Sequence, residues 1–204
     1  MDIQNHEKGV VWAQIIYLYI IPVLLLYYGV IPEDFRFIML FSIAFLMFGI
    51  IRHSHWTYED MGIYKYFWKD MLPYTIFTIG GASFLFWLSQ ITLQIPMLDW
   101  RDNLQFLILF APVSILQEVV FRGVLMNFLK KVFTNPIFII LLNAIIFAIM
   151  HVIYVNATFV LPLTFMAGAG FAWMYLKYPN LILISISHTI LNFVAMILGF
   201  FAIR

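Results

Sequence analysis

Gln117, Glu118, Arg122, Phe147, His151, His188 and Asn192 are the side chains through which this sequence could do chemistry. Glu118 and Arg122 stand four residues apart in the apolar run Ser114-Ile115-Leu116-Gln117-Glu118-Val119-Val120-Phe121-Arg122-Gly123, so a helix puts them on one face, able to pair. Of the ten acids in the chain Glu118 alone follows Asp102, and of the eleven Lys and Arg only Arg122 falls in the middle of a hydrophobic segment. A charge held inside a membrane segment costs roughly 3 kcal/mol on insertion scales and by default marks a functional interior. Two further apolar segments repeat the pattern: Asn143, Phe147 and His151 are successive i+4 positions, while Ser185, His188 and Asn192 share another helix face. Three helices thus each carry one narrow polar stripe, and in lipid such stripes turn inward to meet.

A carboxylate, two imidazoles and a carboxamide suit hydrolysis of an acyl bond by water. A carboxylate beside a His can hold and deprotonate a water, and a second His with the amide of Asn can donate to the oxyanion of a tetrahedral intermediate. Each group also has a structural reading. Glu118 and Arg122 form an intrahelical pair that lets two charges survive burial, and a lone intramembrane His or Asn serves as interhelical glue. Ser114, Asn143 and Ser185 are read as structural. No buried Asp exists to orient a base, which sets aside the Ser-His-Asp arrangement. Glu118, His151 and His188 could compose a zinc site, but the HExxH helix that usually builds one is missing, so a metal-free, cofactor-free water site is preferred.

The chain has 204 residues, 64% apolar or aromatic and 10% charged, with a mean hydropathy of +0.97. Soluble domains are about half apolar and about a quarter charged, so this is an all-α, polytopic transmembrane bundle forming one domain over 1–204, with a catalytic-type core at about 104–203. A net charge of +1 with no basic run longer than Lys130-Lys131 argues nothing for nucleic acid, and no nucleic-acid partner is expected; the partners expected are membrane lipid and a peptide or protein substrate. Cysteine is absent, which excludes disulfides and thiolate metal sites.

Seven segments are read as spans of about 30 Å of hydrocarbon: Val10 to Val30, Phe37 to Ile51, Met71 to Ile95, Leu104 to Leu129, Pro136 to Val155, Phe159 to Leu176 and Leu181 to Ile203. Their connectors place Lys8, Arg52, Lys65, Lys69, Lys130, Lys131 and Lys177 on one side, against Arg36, Arg101 and Arg204 on the other. The bias predicts a cytoplasmic N-terminus, in a membrane expected to be the bacterial cytoplasmic membrane. Trp56 to Asp70 reads as an interfacial connector, and Gly80-Gly81 and Gly168-Ala169-Gly170 as small-residue packing patches. With these boundaries Glu118 sits near mid-membrane, His151 toward the outer end of its span and His188 toward the inner end. Straight helices would then leave the two histidines several turns apart.

Together the motifs Gln117-Glu118-Val119-Val120-Phe121-Arg122, Phe147-Ala148-Ile149-Met150-His151 and His188-Thr189-Ile190-Leu191-Asn192 resemble those of the intramembrane endopeptidases that process CAAX prenyl proteins and bacteriocins, also called the abortive-infection family. Its pattern is Glu-Glu-x-x-x-Arg, Phe-x-x-x-His and His-x-x-x-Asn on separate membrane helices in that order. The resemblance covers about Leu104 to Asn192. It implies a glutamate-dependent peptidase in which position 117 and His151 share the attacking water and His188 with Asn192 forms the oxyanion site. Here the family's first Glu is Gln117, a near-isostere that can hold a water but has no useful basicity. An inactivated sequence, a natural pseudoprotease with a binding, immunity or scaffold role, and use of Glu118 as base all follow as alternatives. A proton-coupled transporter would call for broken paired helices and an inverted repeat, and the sequence has neither.

Overall fold

The computed structural model describes residues 3–102, 104–154 and 156–201, and no strand occurs among them. The helices are α1 (Ile3–Ile15), α2 (Ile21–Tyr27), α3 (Arg36–His53), α4 (Met71–Ile91), α5 (Leu104–Glu118), α6 (Met126–Val132), α7 (Pro136–Ile149), α8 (Ala157–Lys177) and α9 (Leu181–Ile197). A π-helical turn, Ile16–Ile20, joins α1 to α2, and a longer one, Val119–Leu125, joins α5 to α6. Five stretches are long and apolar enough to cross a membrane: His6–Tyr27, Arg36–His53, Phe67–Ile91, Leu107–Val132 and Ala157–Lys177. With the shorter apolar helices α7 and α9, these match the seven expected segments in order. The chain is an integral membrane protein built of helices.

Four spans end earlier than expected, and the two that fall furthest short, α7 and α9, have local causes. Asn135 caps α7, its side chain accepting from Ile137 N–H at 2.9 Å with Pro136 at the first helical position, and the helix stops at Ile149 in favour of a tight turn, His151 N–H donating to Ala148 O at 2.8 Å. Asn180 caps α9, which stops at Ile197 where Gly199 adopts φ +85°. A Cβ at Gly199 would collide with the carbonyl oxygen of Ile95, because the chain after α4 closes over this end and Met97 N–H donates to Ile197 O at 2.9 Å. Val155, Ile203 and Arg204, used above for span ends and charge balance, lie outside the described residues.

Packing is led by α7 against α8, and by α9 against α4 and α5. The Trp56–Asp70 connector lies across the ends of α6 and α9: Asn127 Nδ2 donates to Asp60 O at 2.9 Å and Leu181 N–H to Gly62 O at 2.8 Å. At its exposed tip, the backbone N–H and hydroxyl of Thr57 donate to Asp60, holding that carboxyl below its usual range. The connector is therefore a clasp that ties the start of α6 to the start of α9. Of the two glycine patches, Gly81, Gly168 and Gly170 are close-packed, a Cβ meeting Leu191, Phe147 and Phe77 respectively within 3.0–3.3 Å, while Gly80 has nothing within 4 Å.

Candidate active site

The site grows out of the π turn after Glu118. A π turn adds one residue to the helical circuit and is frequent at functional sites. Its carbonyls are met from other helices: Tyr19 OH donates to Val120 O at 2.6 Å, and Asn143 Nδ2 to Phe121 O at 3.0 Å. Asn143 is structural, as expected. Tyr19 was not foreseeable, being one aromatic among many in the first span.

Glu118 and Arg122 are fully buried. Arg122 Nη1 donates to Glu118 Oε1 at 3.0 Å, and Nη2 reaches α8, donating to Gly168 O at 3.1 Å. The rings of Phe147 and Phe171 flank its guanidinium at 4.8 and 5.2 Å, a cation–π environment that helps keep the charge in place. From α9, His188 Nδ1 lies 2.6 Å from the same Glu118 Oε1. A carboxylate can only accept, so Nδ1 carries the hydrogen and Nε2 is left for the cavity. The carboxylate that holds an imidazole in a fixed tautomer, judged missing because no Asp is buried, is supplied by Glu118.

His151 is buried in the turn beyond α7, its Nδ1 2.8 Å from Phe147 O. A carbonyl likewise only accepts, which puts the hydrogen on Nδ1 and leaves the Nε2 lone pair able to take a proton. The expected separation of the two histidines is corrected. The ring of Phe147 lies 4.9 Å from His151 and 5.7 Å from His188, bridging them. The early end of α7 and the central place of His188 in the shortened α9 close the gap.

Two cavities meet here. One, about 420 Å³, lies among α4, α7, α8 and α9 and is lined by His188, Phe171 and Gly80; the other, about 650 Å³, is lined by Gln117, Arg36 and Tyr154. His151, Asn192 and Phe201 line both. Asn192 Nδ2 donates to Ser114 Oγ at 2.9 Å while Ser114 donates to Phe110 O at 2.7 Å, so Ser114 aims the carboxamide of Asn192 rather than serving only its own helix. Glu118, Arg122, His188 and Phe147 therefore come together directly, and Gln117, His151 and Asn192 come together around the larger cavity. Gln117 and His188 face different cavities. Among the described residues no three His, Asp or Glu side chains are grouped to hold a metal ion. Phe171 and the Gly168 carbonyl were missed, their only sequence signal being the small-residue patch that brings α8 close.

Compared with known families, residues 99–194 match the Rce1-like family model, described as type II CAAX prenyl endopeptidase Rce1-like. That stretch contains all three motifs. No curated protein and no solved structure matches the chain.

Proposed function

We propose that this chain is an intramembrane endopeptidase of the glutamate-dependent CAAX- and bacteriocin-processing type, hydrolysing a peptide bond of a membrane-associated or lipidated peptide. The observation that carries the reading is the wall shared by two cavities, where His151 and Asn192 face both and Gln117 faces one. In this mechanism the Gln117 carboxamide holds the attacking water; His151 Nε2, left free by the Nδ1 bond to Phe147 O, takes its proton as the water oxygen bonds to the carbonyl carbon and gives it to the amine nitrogen as the C–N bond breaks. Asn192, aimed by Ser114, donates to the developing oxyanion. His188, whose Nδ1–H is held by Glu118, lines the smaller cavity beside Asn192 and closes that side of the oxyanion site. Glu118 and Arg122 position His188 and do not touch the substrate. No metal ion or cofactor is assigned a step.

Gln117 favours one second reading, a pseudoprotease that binds in the same cavities without cutting, because a carboxamide cannot share the work of a base. The two readings separate in one experiment. Introducing Gln117→Glu should raise hydrolysis of a quenched-fluorescent peptide in reconstituted membranes by roughly 10²-fold or more, the range of a placed general base, and His151→Ala in that background should abolish it. No gain from Gln117→Glu would favour the binding protein.

A further inference from the structure

Arg36 opens α3 and lines the larger cavity together with Gln117, His151 and Asn192. Among the described residues it is the only Lys, Arg, Asp or Glu lining either cavity. Among the described residues the ion pairs are those of Glu118 alone; Arg36 lies over the ring of Phe37, 5.1 Å from the guanidinium carbon, and close enough to Tyr154 of the same wall to act on it electrostatically. Most of the remaining wall is aliphatic, including Val23, Ile43 and Val113. A cation facing such a wall acts through a lower dielectric than in open water, and no acid among the described lining residues offsets it. The planar guanidinium fork fits the two oxygens of a carboxylate.

We propose that Arg36 is a specificity-determining residue that docks a carboxylate of the bound peptide, fixing one end of the substrate while a carbonyl further along it rests against His151 and Asn192. A free C-terminus and an Asp or Glu side chain both offer this chemistry. The inference rests on the peptide reading of the cavity and adds the register in which the peptide lies. Arg36 thereby has a role beyond marking the arginine side of the membrane.

The test is equilibrium binding to the full chain with Gln117 in place, reconstituted in phosphatidylcholine nanodiscs. Three fluorescein-labelled apolar octapeptides are compared by anisotropy: one with a free C-terminal carboxylate, one amidated, and one amidated with a Glu as its penultimate residue. At least one carboxylate peptide should bind about tenfold more tightly than the plain amide, the scale of a charge-assisted pair out of bulk water. Arg36→Ala should reduce it to the affinity of the amide, and Arg36→Lys should restore part of the difference. Which of the two peptides gains identifies the source of the carboxylate. Equal binding of all three to the unaltered chain, or a preference that survives Arg36→Ala, overturns the inference and leaves the peptidase reading standing. Absence of any peptide binding removes both. If Arg36→Ala instead alters only the retention of phosphatidylglycerol in mixed nanodiscs, the anion is a lipid phosphate and the inference is likewise overturned.

Discussion

His188 Nδ1 is held 2.6 Å from Glu118 Oε1, a bond between residues 70 apart in sequence that ties α9 to the turn after α5. The same oxygen takes Arg122 Nη1 at 3.0 Å, so one buried acceptor serves two donors from two helices. Glu118 is thus the centre of the bundle's polar interior, and its carboxylate aligns the imidazole of α9 and anchors a guanidinium that reaches on to α8.

Removing one member of this cluster strands the others. Arg122→Met leaves Glu118 buried without its strongest partner, for which a loss of about 3–5 kcal/mol is expected. Adding Glu118→Gln removes the stranded charge, so the double variant should be more stable than Arg122→Met alone. Thermal unfolding in detergent checks both, and two losses that simply add would refute the cluster as the source of the cost.

Gly168 offers a second test, because its backbone is both a packing surface and the acceptor for Arg122 Nη2. A Cβ there would sit 3.0 Å from a Phe147 ring carbon and 3.2 Å from the Ala144 Cα, and the latter is backbone that cannot swing aside. Gly168→Ala should cost about 1–3 kcal/mol by overpacking and weaken the Arg122 contact. Gly49→Ala, in the exposed middle of α3 with nothing within 4 Å, should instead be neutral or stabilising. Equal responses at the two positions would rule out close approach of α7 and α8 as the reason for the glycine.

The motif spacings carried most of the site, since i+4 positions on a helix share a face whatever the fold. Glu118, Arg122, His151 and His188 are the buried ionisable groups expected from their isolation in apolar sequence. What the sequence did not display was the backbone. Neither the π turn at Val119–Leu125 nor the early end of α7 follows from apolar periodicity, because the run beyond Ile149 stays largely apolar; the early end of α9 had a signal in Gly199, a helix-stopping residue that the apolar run around it outweighed. The partners of the turn were hidden for the same reason: Tyr19 lies 101 positions from the carbonyl it binds, and nothing local distinguishes it from Tyr17. Arg36 was legible only as a charge at a span end, since a cavity wall assembled from six distant segments leaves no mark on any one of them.

Orientation in the membrane gives the last prediction. Lys130 approaches the Tyr175 ring, Lys131 the Trp56 ring and Lys177 the Trp173 ring, and the connector clasping α6 and α9 carries Lys65 and Lys69, so the lysines gather at one end of the bundle. The larger cavity is lined at the other end, by Arg36, Ile95, Met97 and Gly199. Positive charge is retained on the cytoplasmic side, which would turn that cavity toward the outside and have the peptide enter from there. The chain contains no cysteine, so single cysteines report without background. Leu98→Cys, at a position 89% exposed, should react with a membrane-impermeant maleimide on intact cells, whereas Tyr58→Cys, at a position 75% exposed, should react only after permeabilisation. The reverse pattern would place the cavity mouth in the cytoplasm and require the peptide to arrive from within.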